Sequence, residues 1–224
     1  LLDMAAAQHE EFTDRLRSKG KLKEGVATNG TYALEQLAVF AEWLSTQNFT
    51  AILDGPNVAY YGHSGVHYSQ VLLMVKHLES LGERPLVVMP QKYCRSTFFL
   101  SSTGRRQTLT EREVQAIADL QERGQLFVVP EYCLDDYYWM MASVAATAAP
   151  SQSNTSLPGL RPLLISNDQM RDHKWALLAP RLFRRWTSCH IVRYNFGLYD
   201  LDPWAEDRPV NLEPADVFSR EIQG

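Results

Sequence analysis

The sequence predicts an α/β fold with a parallel central sheet flanked by helices on both faces. Short apolar runs recur along the chain, and each has the length of a buried strand. They are FTAILD (49–54), PLVVMP (85–90), QLFVVP (125–130), RPLLIS (161–166) and CHIVRYNF (189–196). Segments with helical spacing of apolar residues separate these runs. Buried strands alternating with helices suit a parallel sheet covered on both sides.

Taken in order, residues 3–18 read as a helix ending near Gly20, and GVATNG (25–30) as a loop. Thr31 is expected to open an amphipathic helix, with Leu34, Leu37, Phe40, Ala41 and Leu44 on one face. The first strand ends abruptly in Asp-Gly-Pro-Asn, which reads as a loop. Helices are expected over 67–81, 110–123 and 134–148, the last with two acids in its first turn. PSQSNTSLPG (150–159) reads as a surface insertion, 167–178 as a helix opening, and 180–187 as a short helix. The stretch 197–224 is acidic and has little periodicity.

At 224 residues and 45% hydrophobic, the chain can bury a substantial core, and one domain is the default. The net charge of -4 is unlike that of a stand-alone nucleic-acid binder, which is usually basic. Either the partner is not nucleic acid, or acids cluster at a metal site while another domain supplies the grip. Cys94, Cys133 and Cys189 are far apart and odd in number, so neither a disulfide framework nor a zinc site built from this chain is expected. No apolar run approaches the ~20 residues needed to cross a bilayer, and no membrane role is expected. The opening LLDMAAAQ reads as the middle of a longer protein.

Ligands of such sheets bind beyond the carboxyl ends of the strands. Asp54 follows the first strand, Asp135 and Asp136 follow the third, and Asp168 follows the fourth. Each alone has an ordinary structural role, Asp54 in a turn and the others as caps or dipole partners of helices. Together they bring carboxylates to one sheet edge, where mutual repulsion and desolvation favour a hard divalent cation such as Mg²⁺. Around them, Asn57 either holds the loop or contacts a metal-bound water. Asp172 is an outer ligand or the partner of a base. His173 orients phosphate or water or is structural. Lys92, Arg95, Arg105 and Arg106, in loops after the second strand, are candidate RNA backbone contacts or simply solvated cations, and Arg184, Arg185 and Arg193 are weaker ones.

ILDGPNVAYY, LDDYYWMMAS and LLISNDQMRDH, followed by LFRRWTSCHIVRYNF, resemble in that order the acidic motifs of the protein-only RNase P nuclease domain. That domain belongs to the NYN group of PIN-like folds. The resemblance covers about 31–222, and the DDYYW form looks more like plant and protist members. It implies a helical lead-in over 1–30, the nuclease domain over 31–199, and a tail over 200–224. By position, Asp54, Asp135, Asp136 and Asp168 match the family's metal-binding acids, and Asp172 a further acid. The implied cofactor is one or two Mg²⁺ ions, with Mn²⁺ as substitute. The implied substrate is precursor tRNA, cut to leave a 5′-phosphate and a leader 3′-hydroxyl, in mitochondrion, plastid or nucleus. Family members also carry a pentatricopeptide-repeat domain and a zinc-binding bridge. Neither is found in this sequence, so it is expected to be the catalytic domain trimmed between the halves of the bridge. Two rival functions stay open: another PIN-like RNA endonuclease, and a nonenzymatic RNA-binding or assembly module with a silent site. An aspartyl phosphatase would want a second Asp where Pro56 stands.

Overall fold

The computed structural model describes residues 27–100, 103–145, 157–169, 180–197, 202–205 and 207–216. The helix expected over 3–18, most of the 150–159 insertion, the helix expected beyond residue 169, and the end of the tail lie outside the described residues.

The first described helix, α1 (Ala27–Ser45), begins four residues before Thr31 and absorbs part of the expected loop. A lone Gly such as Gly30 costs only about 1 kcal/mol in a helix, too little to stop one whose face packs through Leu37, Phe40 and Leu44. Then follow β1 (Ala51–Asp54), the short helix α2 (Gly55–Ala59), α3 (Tyr68–Ser80) and β2 (Pro85–Pro90). A 3-10 turn (Gln91–Cys94) leads into a hairpin of β3 (Thr97–Leu100) and β4 (Arg105–Thr108). The rest is α4 (Glu111–Glu122), β5 (Leu126–Val129), α5 (Asp135–Val144), β6 (Leu163–Ile165), α6 (Pro180–His190), β7 (Ile191–Phe196) and β8 (Val210–Glu213).

The main sheet has the order β5-β2-β1-β6-β7-β8. All its pairings are parallel except the last, where β8 runs antiparallel to β7. The parallel sheet read from the sequence is therefore present, with one antiparallel edge strand taken from the stretch read as lacking periodicity.

Alternate residues of each central strand enter opposite layers, as a two-residue period requires. On one side Ile52, Leu86, Val88, Leu164 and Ile191 meet α1, α5 and α6. There the Phe40 ring lies 4.3 Å from Phe127 and 5.1 Å from Tyr138. On the other side Leu53, Val87, Met89, Ile165 and Val192 meet α2, α3, α4 and the hairpin. Helices thus cover both faces, and at their carboxyl ends β1 runs straight into α2, β2 into the 3-10 turn, and β5 and β6 into loops.

Two local devices fix the loops. Thr110 and Glu113 form a reciprocal capping box at the start of α4. Replacing Thr110 with Ala leaves the Glu113 N–H without its side-chain acceptor, and a loss of about 1 kcal/mol is expected in urea unfolding. An unchanged midpoint would show that the cap is redundant with the packing of Ala116, Ile117 and Leu120. The second device is the Arg161–Glu83 pair. Arg161 donates Nη2 to Glu83 Oε1 at 2.5 Å and Nε to Oε2 at 3.3 Å. It also donates to the carbonyls of Gly159 and Leu157. This pins the chain entering β6 to the loop leaving α3.

Candidate active site

Asp54 ends β1, opposite Val88 of β2 in register. Its DGPN sequence, read as a turn, builds α2. Asp54 is the N-cap, its Oδ1 accepts from the Asn57 N–H at 3.2 Å, and Pro56 sits in the first turn, where a missing N–H costs nothing. Gly55 has a separate cause, since a Cβ there would stand 2.5 Å from the Val88 carbonyl oxygen. Only Gly lets the chain turn so close to the neighbouring strand.

Asp54 is 5% exposed. Its Oδ2 accepts from Ser166 Oγ at 2.7 Å, and that same hydroxyl oxygen accepts from the Asp168 N–H at 3.1 Å. Ser166 thereby ties the end of β1 to the end of the adjacent strand β6. Burial raises the Asp54 carboxyl to about 8 against the opposing hydrogen bonds, with the charges of Asp135 and Asp136 pushing the same way.

Asp135 and Asp136 occupy the first turn of α5, whose N-cap is Leu134, with no side-chain capping bond. The capping role open to them in the sequence is therefore not theirs, although the helix dipole still favours them. Burial and the charge of Asp136 raise Asp135 to about 6, and Lys92 opposes that shift. Asp168 lies half-buried just past β6, and its carbonyl accepts from Arg193 Nη1, which also reaches the Ser166 carbonyl at 2.9 Å.

Asn57 has a definite task. Its Oδ1 accepts both the Asn167 N–H and the Tyr194 hydroxyl, each at 2.8 Å. Asn167 closes the arrangement through paired bonds with the Tyr194 backbone, at 2.8 and 3.1 Å. Burial and the nearby Asp54 charge keep the Tyr194 phenol protonated and hence a donor. One carboxamide oxygen thus joins α2 and the loop after β6 to strand β7. Sequence reasoning missed Ser166, Asn167 and Tyr194. The Ser-Asn-Asp run at a strand end was a signal for the first two, and nothing marked Tyr194.

The structure therefore ties the Asp54 carboxylate to the Asp168 backbone through Ser166, and sets Asp135 and Asp136 within electrostatic reach of Asp54. Asp172 and His173 lie outside the described residues. Among the described residues, no three His, Cys, Asp or Glu side chains group closely enough to hold an ion. The donors that do converge are hard carboxylate oxygens, and burial penalises ionised Asp54. In kind, this set fits Mg²⁺ or Mn²⁺ and not a thiophilic metal.

Of the candidate RNA contacts, Lys92 is exposed beside Asp135, with its ammonium 4.5 Å from the Tyr93 ring centroid. Arg95 pairs with Glu131. Arg105 and Arg106 stand on the exposed strand β4 instead of in a loop, with Arg106 over the Phe99 ring. Arg184 and Arg185 lie on α6, and Arg193 is committed to the loop carbonyls.

A mostly parallel sheet covered by helices on both faces, with Asp54 and Asp168 at adjacent strand ends, defines an α/β protein of the kind that binds ligands at that edge. The protein-only RNase P family model matches residues 2–198, and the chain belongs to this family of endoribonucleases. Three relatives from Arabidopsis thaliana agree. Proteinaceous RNase P 3 is 26% identical over 87% of this chain, and proteinaceous RNase P 2 is 30% identical over 70%. The third, proteinaceous RNase P 1, chloroplastic/mitochondrial, is 27% identical over 70%. The chain spans 31%, 27% and 24% of their respective lengths. Two solved structures of nuclear proteinaceous RNase P 2 from A. thaliana share the fold. One has a TM-score of 0.61 at 24% identity, covering 89% of this chain and 37% of that one. The other has a TM-score of 0.65 at 23% identity, covering 95% and 38%. No helix among the described residues is long and apolar enough to cross a membrane.

Proposed function

We propose that this chain is the metal-dependent nuclease domain of a protein-only RNase P, removing the 5′ leader of precursor tRNA. The observation that carries the reading is Asp54. It is buried at a strand end, held by Ser166 and Asn57, and faces two further carboxylates. Such a group gains from a cation. Asp54, Asp135, Asp136 and Asp168 are the proposed holders of one or two Mg²⁺ ions, with Mn²⁺ as a substitute. A bound ion would supply Lewis-acid charge for hydrolysis at phosphorus, leaving a 5′-phosphate and a 3′-hydroxyl. The chain's own part is to fix the carboxylates. Ser166 holds Asp54 and the Asp168 backbone in one register, and Asn57 ties α2 to the loop after β6. Lys92, Arg95, Arg105 and Arg106 are proposed RNA contacts, and Asp172 and His173 proposed outer partners. A pentatricopeptide-repeat domain and a zinc-binding bridge are the proposed companions in the whole protein, whose compartment is organellar or nuclear.

The test is Mn²⁺ titration calorimetry on this chain and its Asp136→Asn variant, followed by cleavage-site and end-group mapping on precursor tRNA. Saturable binding weakened at least about tenfold by the substitution is expected. Binding indifferent to Asp136 would move the ion elsewhere, and cuts away from the leader junction would favour another RNA endonuclease.

A further inference from the structure

A cavity of about 390 Å³ adjoins the acidic site, and Asp135 lines both. It opens between the 3-10 turn after β2 and the loop from Pro130 to Leu134. Its walls include Gln91, Lys92, Tyr93, Tyr132 and Leu134.

Tyr132 is the informative residue. The Cys133 N–H donates to the Pro130 carbonyl at 3.3 Å and closes a four-residue turn. Tyr132 sits at the third position of that turn with φ 65°. Such a turn ordinarily places Gly or Asn there, and an aromatic residue at positive φ is uncommon and strained. Among the described residues it is the only non-Gly residue so placed. Core packing does not account for this choice, because Tyr132 is 76% exposed. Leu134, two residues on, is 55% exposed. The turn is braced from outside by the Arg95–Glu131 ion pair. A braced, strained turn thus holds an aromatic ring against solvent at the mouth of a cavity next to the carboxylates.

Lys92 completes the chemistry. Its charge reaches Asp135, and its ammonium lies over the Tyr93 ring. Lys92 and the exposed Tyr132 line the same cavity, and a cation and an aromatic face sharing one groove are the pairing that binds a phosphate and stacks the base attached to it. The exposed Gln91 amide can hydrogen-bond a base edge.

We propose that this cavity is a nucleotide subsite in which one unpaired nucleobase flanking the scissile phosphate stacks on Tyr132 while Lys92 contacts its phosphate. The inference rests on the ribonuclease reading above and names where that enzyme grips RNA outside the chemical step. Because stacking accepts any base, the subsite selects for an unpaired nucleotide and not for a sequence.

The test uses this chain and a single-stranded RNA hexamer carrying one 2-aminopurine, in Mg²⁺ buffer. Stacking quenches the 2-aminopurine fluorescence, a readout independent of cleavage. Saturable quenching is expected with the unsubstituted chain and with Tyr132→Phe. Tyr132→Ala and Tyr132→Gly should weaken binding by roughly five- to 150-fold and abolish the quenching. The Gly variant favours the same turn, so its loss reports on the ring and not on the loop, and circular dichroism checks the fold of each variant. Lys92→Gln should keep the quenching but lower the salt dependence of binding by about one ion. Unchanged quenching in both the Ala and Gly variants, or no quenching with the unsubstituted chain, overturns the subsite. Failure of the ribonuclease reading shows separately, as Mn²⁺ binding indifferent to Asp136 in the titration above.

Discussion

Asp54→Asn is expected to stabilise the metal-free protein at pH 8 while abolishing cleavage. Asp54 titrates near 3.8 when free and at about 8 when folded, chiefly because it is buried. Between those values the folded chain keeps a proton that the unfolded chain has released. Stability is therefore fully present below 3.8 and is lost as pH rises towards 8, by at most about 1.4 kcal/mol per pH unit. Asn carries no such proton, and its Oδ1 can still accept from the Asn57 N–H. The variant's advantage should be near zero at pH 4 and about 2–5 kcal/mol at pH 8. Thermal melts in EDTA across this range measure it. Adding Mn²⁺ should raise the melting temperature of the unsubstituted chain, by linkage to the folded state, and not that of the variant. A variant less stable at pH 8, or an advantage independent of pH, would show that Asp54 is not strained by its surroundings.

Glu83→Ala is expected to be among the most destabilising single substitutions, costing about 3–5 kcal/mol. The Glu83 side chain is fully buried and meets the guanidinium of Arg161, whose side chain is 17% exposed. Removing the carboxylate strands a cation that is otherwise directed at the Gly159 and Leu157 carbonyls. For a chain of this size the loss corresponds to a fall of roughly 6–20 °C in melting temperature. The control is the double variant Glu83→Leu with Arg161→Met, which removes both charges. Substantial recovery would assign the penalty to the uncompensated charge of Arg161. A double variant as damaged as the single one would assign it instead to lost packing at the entry to β6.

The central strands were legible because their apolar runs are forced by burial on both faces, as at Ala51–Asp54 and Pro85–Pro90. The hairpin and β8 were not. RRQT carries no apolar residue, and VNLE alternates over only four residues, too short a signal on its own, so both are fixed as strands by pairing with their neighbours. Asp54 and its helix illustrate a different limit. Asp-Gly-Pro-Asn signals a turn locally, and the helix cap it makes depends on the strand before it and on Val88 beside it. The approach of Asp54, Asp135, Asp136 and Asp168 to one sheet edge followed from their positions after strands. The bonds that tie Asp54 and its helix to the strands beside them did not, because Tyr194 reaches Asn57 across 137 positions of sequence.

That long reach has a consequence for how this protein would look in a deep mutational screen. Tyr194 sits on a strand with no acid nearby in VRYNF, yet its hydroxyl donates to Asn57 on the helix that follows Asp54, an acceptor it shares with the Asn167 N–H. A screen for function would score it among the catalytic residues, while a screen for folding would pass its replacement by Phe. The gap between the two scores would trace the mechanical scaffold of the centre, residue by residue.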